Sequence, residues 1–154
     1  MDVKHIPVML EEVVKMIQPG DEKIYVDATV GLGGHAEGIL RQAEHCTVVG
    51  IDRDSGALKL AGERLKKYRN VFLVNERFSN IRSVVNSMGF PVVHGIVLDA
   101  GVSTLHLKAE GRGFSFLKDE PLDMRMDQNQ ELTAEMVVNR YSEHELADII
   151  WKYG

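Results

Sequence analysis

The fold is indicated most directly by one segment, Ile24-Tyr25-Val26-Asp27-Ala28-Thr29-Val30-Gly31-Leu32-Gly33-Gly34-His35. Its first three residues form a short apolar run, which predicts a buried strand. Glycines then cluster at 31, 33 and 34, and glycine lets a backbone bend tightly and approach a ligand without a Cβ in the way. In an open α/β sheet, ligands bind at the carboxyl ends of the strands, where such a turn leads into a helix. The stretch therefore predicts a strand, a ligand-binding turn and a helix, in that order.

The sequence on either side continues this alternation. Apolar residues recur at helical spacing in the predicted helices, and short apolar runs mark the strands. Alternation of this kind implies right-handed crossovers and a parallel sheet covered on both faces, which is a doubly wound α/β domain. The predicted elements are a helix over 10–17, a strand over 24–26, a helix over 36–43, a strand over 47–51 that ends at Asp52, a helix over 55–65 with Asp54 as N-cap, a strand over 71–74, a helix over 81–88 and a strand over 92–98 that ends at Asp99.

The alternation stops near Ser103. Residues 103–130 have the glycine, proline and charge content of a loop, and two helices are predicted beyond them, one over 134–140 and one after Ser142. Ser142 and Glu145 fit a capping box at the start of the second helix. We therefore divide the chain into an α/β core over 1–102, with the first four strands, and a loop with the start of a helical insertion over 103–154. The second helix is expected to bury a stripe formed by Leu146, Ile149, Ile150 and Tyr153.

Composition limits the class of protein. The chain has 154 residues, 44% of them hydrophobic and 27% charged, which fits a soluble globular protein. It has no apolar run of membrane-spanning length and no secretory signal, and its lone cysteine, Cys46, cannot form an internal disulfide, so we expect a cytoplasmic protein that contacts no membrane. The net charge of −5 and the lack of an obvious Lys/Arg block weigh against a nucleic-acid-binding protein.

The glycine turn fits two classes of cofactor that contain adenosine. Gly31-x-Gly33-x-x-Ala36 matches the dinucleotide fingerprint, and Asp52 stands about 20 residues further on, where a carboxylate binds ribose hydroxyls. A nicotinamide-dependent oxidoreductase is therefore one hypothesis. Asp27, just ahead of the glycines, and Asp99, at the end of the fourth strand, favour an S-adenosylmethionine-dependent methyltransferase. A third interpretation is a glycine loop that only turns the chain, with Asp27 and Asp52 as caps.

Six strings of residues, in order along essentially the whole chain, match one known family. They are His5-Ile6-Pro7-Val8-Met9-Leu10, residues 27–35, Gly50-Ile51-Asp52-Arg53-Asp54, residues 95–103, Arg112-Gly113-Phe114-Ser115-Phe116 and Pro121-Leu122-Asp123-Met124-Arg125-Met126-Asp127. Together they resemble the bacterial cytosine-N4 methyltransferases of small-subunit (16S) ribosomal RNA.

The resemblance implies a Rossmann-like class I methyltransferase sheet. It also implies S-adenosylmethionine as cofactor, and the exocyclic N4 of a cytosine in small-subunit ribosomal RNA as the group that is methylated. Members of this family are about twice as long as this chain, so the chain would be their N-terminal portion, with a truncated sheet. A truncated chain that binds cofactor without catalysis is then an alternative. By the same resemblance, the cofactor-binding residues are Gly33, Gly34, His35, Asp52, Phe78, Asp99 and His106.

His106 departs from the family pattern. The family has a glutamine in a Ser-Ser-x-Gln-Leu string, and this chain has Ser103-Thr104-Leu105-His106-Leu107 at the corresponding place. An imidazole can form a hydrogen bond to the cofactor, but it lacks the two-ended geometry of an amide. The contact at His106 is therefore expected to differ from that of the family.

Asp99 is the catalytic candidate, because a hydrogen-bond acceptor at the cytosine amine would help as charge develops there. Its alternative role is a carboxylate that only binds cofactor. A base inside paired RNA must be extruded before it reaches a pocket, and Phe114 or Phe116 could then stack on it, unless both are core anchors. Arg112 and Arg125 could contact phosphate, or they could pair with Asp119, Asp123 or Asp127.

Two further expectations concern metals and assembly. The histidines and Cys46 show no spacing that would hold zinc, so no metal is expected in the cofactor site. A sheet that stops at its fourth strand would leave that strand as an exposed edge, and an exposed edge can pair with another chain. Self-association is therefore expected.

Overall fold

A computed structural model describes residues 7–103, 106–107, 109–117 and 119–154. His5 and Ile6 of the first matched string, and Thr104 and Leu105 of the string that contains His106, lie outside the described residues. The chain divides into two compact units, Met1–Gly101 and Val102–Gly154.

The first unit is built on a parallel sheet of four strands. These are β1 (Ile24–Asp27), β2 (Thr47–Asp52), β3 (Val71–Asn75) and β4 (Gly95–Val97), in the order β3-β2-β1-β4. The register aligns Asp27 with Gly50 of β2 and with Val97 of β4. The chain therefore winds outward from β1 to β3 and then crosses to the other side of β1, which is the switch point where open α/β sheets form a crevice.

Helices cover both faces of this sheet, so the predicted doubly wound α/β fold is confirmed. The helices are α1 (Leu10–Ile17), α2 (Gly34–Gln42), α3 (Ser55–Leu65) and α4 (Ile81–Ser87), with a short 3₁₀ turn at Phe78–Asn80. One core cluster joins α1, α2 and α3 to one face, through residues such as Ile39, Leu40, Leu65 and Val48. A second cluster packs α4 against the other face, where Val84 and Val85 meet Val26, Val49 and Ile51.

Local sequence signals set the ends of these helices. Asp54 is the N-cap of α3, as predicted, because its Oδ1 accepts hydrogen bonds from the amides of Gly56 and Ala57 at 2.8 and 3.2 Å. Gly89 ends α4 with a positive φ of 74°. Among the described residues, no helix is both long and apolar enough to cross a membrane.

The fourth strand is shorter than predicted. The sequence indicated a strand over 92–98, but only Gly95–Val97 pair with a neighbour, and Val92 and Leu98 are 58% and 55% exposed. The reason is that β4 pairs only with β1, whose residues Tyr25, Val26 and Asp27 supply the register. An apolar run thus extends beyond the partner that could hold it in a sheet.

Helices lie at both positions predicted for the second unit, α5 (Ala134–Arg140) and α6 (Glu143–Tyr153). The capping box of Ser142 and Glu145 is confirmed. The buried stripe on α6 was wrong in its C-terminal half, because Ile150 and Tyr153 are 70% and 74% exposed. No described residue of α6 is buried, so its helical periodicity does not correspond to a packed face in this chain.

Candidate functional site

The buried carboxylate of Asp27 holds the start of the glycine turn. The side chain is 1% exposed, its Oδ2 accepts from the Ala36 amide at 3.2 Å, and its Oδ1 lies 3.4 Å from the Thr29 amide. Burial raises the pKa of Asp27 to about 6, and nearby His35 and the two amides lower it by less. Asp27 therefore joins the end of β1 to the first turn of α2 and does not itself face solvent.

Asp52 holds the turn from the neighbouring strand. Its Oδ2 accepts from the Gly31 amide at 2.8 Å, and its Oδ1 accepts from the Asp54 amide at 2.9 Å. An ionised carboxylate has about four acceptor positions, so two remain available in principle for other donors. The side chain is partly exposed. Asp52 is therefore both a support of the glycine turn and a carboxylate that can meet a ligand.

Thr29 links the turn to the end of β4. Its Oγ1 accepts a hydrogen bond from the Asp99 amide at 2.8 Å, and the Ala28 amide donates to the Val97 carbonyl at 2.8 Å. Asp99 itself is exposed. The ends of β1, β2 and β4 thus lie side by side, and Asp52 and Asp99 stand on either side of the glycine turn.

Gly33 and Gly34 are required by packing as well as by the turn. Gly33 has a φ of 78°, and a Cβ there would lie 3.1 Å from Cδ1 of Leu65 in α3. A Cβ at Gly34 would overlap the ring of Pro7. Both positions therefore need glycine because the backbone of the turn passes close to neighbouring elements.

His35 and Phe78 differ in how open they are. The His35 ring is 6% exposed, and its Nε2 lies 3.0 Å from the Val8 carbonyl oxygen, so it connects the N-terminal segment to α2. Phe78 opens the 3₁₀ turn after β3 and is 49% exposed. Phe78 is therefore an accessible aromatic face beyond the end of β3, whereas the His35 ring is enclosed.

The remaining candidates belong to the second unit. His106 is 6% exposed and stacks on Phe114 with ring centroids 4.9 Å apart, and its Nδ1 accepts from the Ser103 amide at 3.2 Å. Phe116 is 97% exposed, so it is not a core anchor here. Arg125 pairs with Asp123 at 2.7 Å, and Arg112 donates to the carbonyls of Arg125 and Met126.

His94 has a structural role next to β1. Its Nδ1 accepts from the Ile24 amide at 3.1 Å, and its ring lies 6.5 Å from that of Tyr25. In the part of the chain that the structure describes, no group of three or more His, Cys, Asp or Glu residues could hold a metal ion.

An open groove of about 620 Å³ lies between α1 and α2. Its lining includes Leu10, Val14, Gly38 and Gln42. It contains none of the residues at the strand ends, so it is separate from the site around the glycine turn.

Two features of the first unit were not predicted from the sequence. Thr29 was not singled out, because its partner Asp99 is 70 positions away and a hydroxyl at a turn has no signature of its own. The string Arg64-Leu65-Lys66-Lys67-Tyr68-Arg69 has four basic residues in a short span, and a count over short windows would have found it.

The sequence of this chain matches a known protein family. The model of the MraW methylase family matches residues 2–154. A Thermotoga neapolitana protein named ribosomal RNA small subunit methyltransferase H is 48% identical over 151 residues, which are 97% of this chain and 50% of that protein. A protein of the same name from Clostridium botulinum strain Kyoto is 45% identical over an alignment of 155 positions, which covers 100% of this chain and 50% of that protein.

The chain spans about half the length of the curated relatives it matches. Among solved structures, an rRNA methylase from Streptococcus thermophilus is similar at 24% identity with a TM-score of 0.44, over 55% of this chain and 51% of that one. The resemblance to rRNA methyltransferases that the sequence strings indicated is confirmed by the family match.

Proposed function

This chain belongs to the MraW methylase family, and from that membership and the geometry of its strand ends we propose that it binds S-adenosylmethionine and takes part in methylation of ribosomal RNA. The observation that supports the proposal best is the pair of hydrogen bonds that ties two strand-end aspartates to one turn. Gly31 donates to Asp52 at 2.8 Å, and Asp99 donates through its amide to Thr29 at 2.8 Å. A crevice at this edge suits an adenosyl ligand.

We assign the parts of the cofactor to residues by their chemistry. Asp52 accepts hydrogen bonds from the ribose hydroxyls, and the exposed face of Phe78 packs beside the adenine. The turn at Gly33, Gly34 and His35 contributes backbone, because the His35 ring is enclosed and bonded to Val8. His106 belongs to the proposal only through its correspondence to the family's glutamine.

The residues present fit such a cofactor. The partly exposed Asp52 carboxylate keeps acceptor positions beyond its two backbone bonds, and Phe78 offers an apolar surface that is 49% exposed. A dinucleotide fits the same glycine turn, and family membership is what favours S-adenosylmethionine over NAD.

Bound S-adenosylmethionine supplies an electrophilic methyl group on a sulfonium sulfur. The role of the chain is then to hold an acceptor in line with that group at near-attack distance. We propose the exocyclic N4 of a cytosine as acceptor. Its lone pair is delocalised into the ring, and the carboxylate of Asp99, exposed at the end of β4, accepts a hydrogen bond from the amine as positive charge develops on nitrogen. The proton released from the amine passes to Asp99 or to solvent.

The proposals for the substrate and for the role of the second unit rest on the relatives. The relatives are named for ribosomal RNA of the small subunit, so we propose that RNA as partner and the cytoplasm as the compartment. We also propose that residues 1–102 form the cofactor-binding core and that 103–154 begin the part that recognises substrate. A base in this RNA would have to leave its helix before reaching Asp99.

Calorimetric titration with S-adenosylmethionine, its demethylated product and NAD tests the cofactor. We expect the first two to bind and NAD not to bind. Phe78→Ala should weaken binding by roughly tenfold or more, as loss of an aromatic stacking surface does. Phe116→Ala is the matched control, because it removes the same ring from a position that is 97% exposed. Binding of NAD in place of S-adenosylmethionine would overturn the assignment.

Methyl transfer is tested separately from cofactor binding. Labelled methyl groups should pass from S-adenosylmethionine to isolated small ribosomal subunits in the presence of the chain, and Asp99→Asn should reduce that transfer while leaving the fold intact. Cofactor binding without any transfer would instead establish this chain as a non-catalytic cofactor-binding unit.

A further inference from the structure

Three basic side chains surround one carboxylate where α2 meets α3. Glu37 of α2 is 6% exposed and accepts from Arg64 at 2.7 Å, from Lys67 at 3.0 Å and from Arg41 at 3.2 Å. The carboxylate is thus enclosed, while the Arg41 and Lys67 side chains remain 67% and 57% exposed. We call Arg41, Arg64 and Lys67 the basic cluster.

The three positive charges of the basic cluster exceed the single negative charge of Glu37. Burial alone would raise the pKa of Glu37, but Arg64, Lys67 and Arg41 outweigh it and hold that pKa at about 2. One carboxylate cancels one of the three positive charges, so a local excess of two remains. The side chains of Lys66 and Arg69 are exposed nearby, and Lys66 is paired with Glu63 at 3.5 Å. This excess stands out on a chain whose net charge is −5.

Stabilisation of helix ends explains only part of this arrangement. Arg41 lies in the last turn of α2 and Arg64 in the last turn of α3, where cations interact favourably with the helix dipole. Lys67 lies beyond the end of α3 and is not explained in this way. Its side chain instead reaches back to Glu37 and lies 5.0 Å from the centroid of the Tyr68 ring.

The basic cluster shares no residue with the proposed cofactor site. Glu37 lies in the first turn of α2, where its amide donates to the Gly33 carbonyl at 2.9 Å, and a Cβ at Gly33 would lie 3.1 Å from Leu65, the neighbour of Arg64. Asp52, Asp99 and the glycine turn lie at the edge where the strands end. The cluster therefore adjoins the glycine turn on the side of α2 and α3, and none of its three cations is assigned to the cofactor.

We propose that the basic cluster binds backbone phosphates of the RNA substrate. The inference rests on the proposed function, because it takes RNA as the partner. Two exposed cations beside an already neutralised carboxylate match the spaced negative charges of a nucleic-acid backbone, and contacts of this kind position an RNA without selecting its sequence. The cluster thus supplies a docking point outside the residues assigned to the cofactor and to the reacting base.

Fluorescence anisotropy with a labelled RNA stem-loop of about 20 base pairs tests the proposal, using the whole chain at several salt concentrations. Arg41→Gln/Lys67→Gln leaves the Arg64–Glu37 bond in place. We expect it to weaken RNA binding about tenfold or more and to reduce the magnitude of the salt slope by about 2, one for each lost phosphate contact. Titration with S-adenosylmethionine should give the wild-type affinity.

Matched variants separate this role from charge in general and from folding. Lys15→Gln/Lys59→Gln removes the same charge from exposed lysines of the same unit outside the cluster and should bind RNA as the wild type does. Arg41→Lys/Lys67→Arg keeps the charges and should retain most of the affinity. Should the first double variant lose its fold, Lys67→Gln alone should still reduce the salt slope by about 1.

Equal RNA binding by Arg41→Gln/Lys67→Gln and the wild type would overturn the proposal. So would competition by poly-glutamate as strong as that by unlabelled RNA, which would indicate an acidic protein partner instead. If S-adenosylmethionine binds and RNA does not, this inference fails while the cofactor assignment stands. If neither binds, the proposed function itself fails.

Discussion

Asp27 has the most perturbed environment of the residues around the glycine turn. The pKa of its carboxyl, ordinarily 3.8, is raised to about 6 by burial. Between these two values the folded chain keeps a proton that the unfolded chain has lost. Stability contributed by this group is therefore fully present below about pH 4 and is lost as pH rises to 6, by about 3 kcal/mol in all.

Urea unfolding of the wild type and Asp27→Asn between pH 4 and 7 measures this effect. The variant cannot titrate at position 27, so the wild-type free energy of unfolding minus that of the variant should decrease from pH 4 to 6 and then level off. Other carboxylates contribute equally to both proteins and cancel in the difference. A difference that stays constant over this range would contradict the raised pKa.

The hydroxyl of Thr29 positions Asp99 next to the glycine turn, because it accepts the hydrogen bond from the Asp99 amide. Thr29→Val keeps the shape but removes the acceptor of the Asp99 amide, which is worth about 0.5–1.5 kcal/mol. We expect two- to tenfold weaker binding of the demethylated cofactor by calorimetry, with Thr29→Ser close to the wild type. Weaker binding by Thr29→Ser with none by Thr29→Val would mean that the methyl group of Thr29, not its hydroxyl, matters.

The sequence reveals positions that are set by strand ends and hides contacts that depend on distant partners. Asp52 and Asp99 were found because each comes directly after an apolar run that ends in the crevice of the fold. The enclosure of the His35 ring was not foreseeable, because it depends on a carbonyl of the N-terminal segment, that of Val8. The basic cluster was missed because two of its members are distant in sequence from Glu37 and meet it only through helix packing.

Among the elements, α2 and α3 are joined through Glu37. The pKa of Glu37 is held at about 2, against an ordinary value of 4.5, so its ionised form stabilises the fold above pH 4.5 and this contribution is lost as pH falls towards 2. Glu37→Gln at pH 7 should reduce the free energy of unfolding by about 1–3 kcal/mol. Glu44→Gln, at an exposed position just beyond α2, is the control and should change it by less than about 0.5 kcal/mol. Equal changes in the free energy of unfolding for the two variants would show that Glu37 does not stabilise the contact between α2 and α3.

The packing of the N-terminal segment on α2 depends on Gly34. Gly34→Ala should destabilise the chain by about 1–3 kcal/mol, because its Cβ would overlap Pro7 and the segment would have to move. Gly101→Ala is the matched control, since no atom lies within 4 Å of its Cβ. Thermal unfolding compares the two variants. An unchanged melting temperature for Gly34→Ala would show that the N-terminal segment can move away from α2 without a loss of stability.

Prediction succeeded for elements whose signals are local. The bounds of α1 and α5 and the caps at Asp54 and Ser142 agree with the sequence because periodicity and side-chain capping act within a few residues. The length of β4 could not be predicted in this way, since a strand extends only as far as its neighbour accepts it. The same holds for α6, whose apolar residues Ile150 and Tyr153 lack a covering surface among the described residues.

For the molecule as a whole, the open side of β4 is the feature with the clearest consequence. β4 is an edge of the described sheet, pairs only with β1, and has Ile96 49% exposed. An exposed apolar edge strand can pair with another chain. We expect light scattering to show self-association that increases with protein concentration.

A charge placed on this edge tests its part in assembly. Ile96→Lys should shift the molecule towards the monomer, because a lysine on an edge strand opposes pairing. Val92→Lys is the control: Val92 is similarly exposed, at 58%, but lies outside the paired part of β4, so it should associate as the wild type does. A monodisperse wild-type monomer would contradict the prediction. Association that survives Ile96→Lys would point to the opposite edge, β3, where Phe72 is 45% exposed.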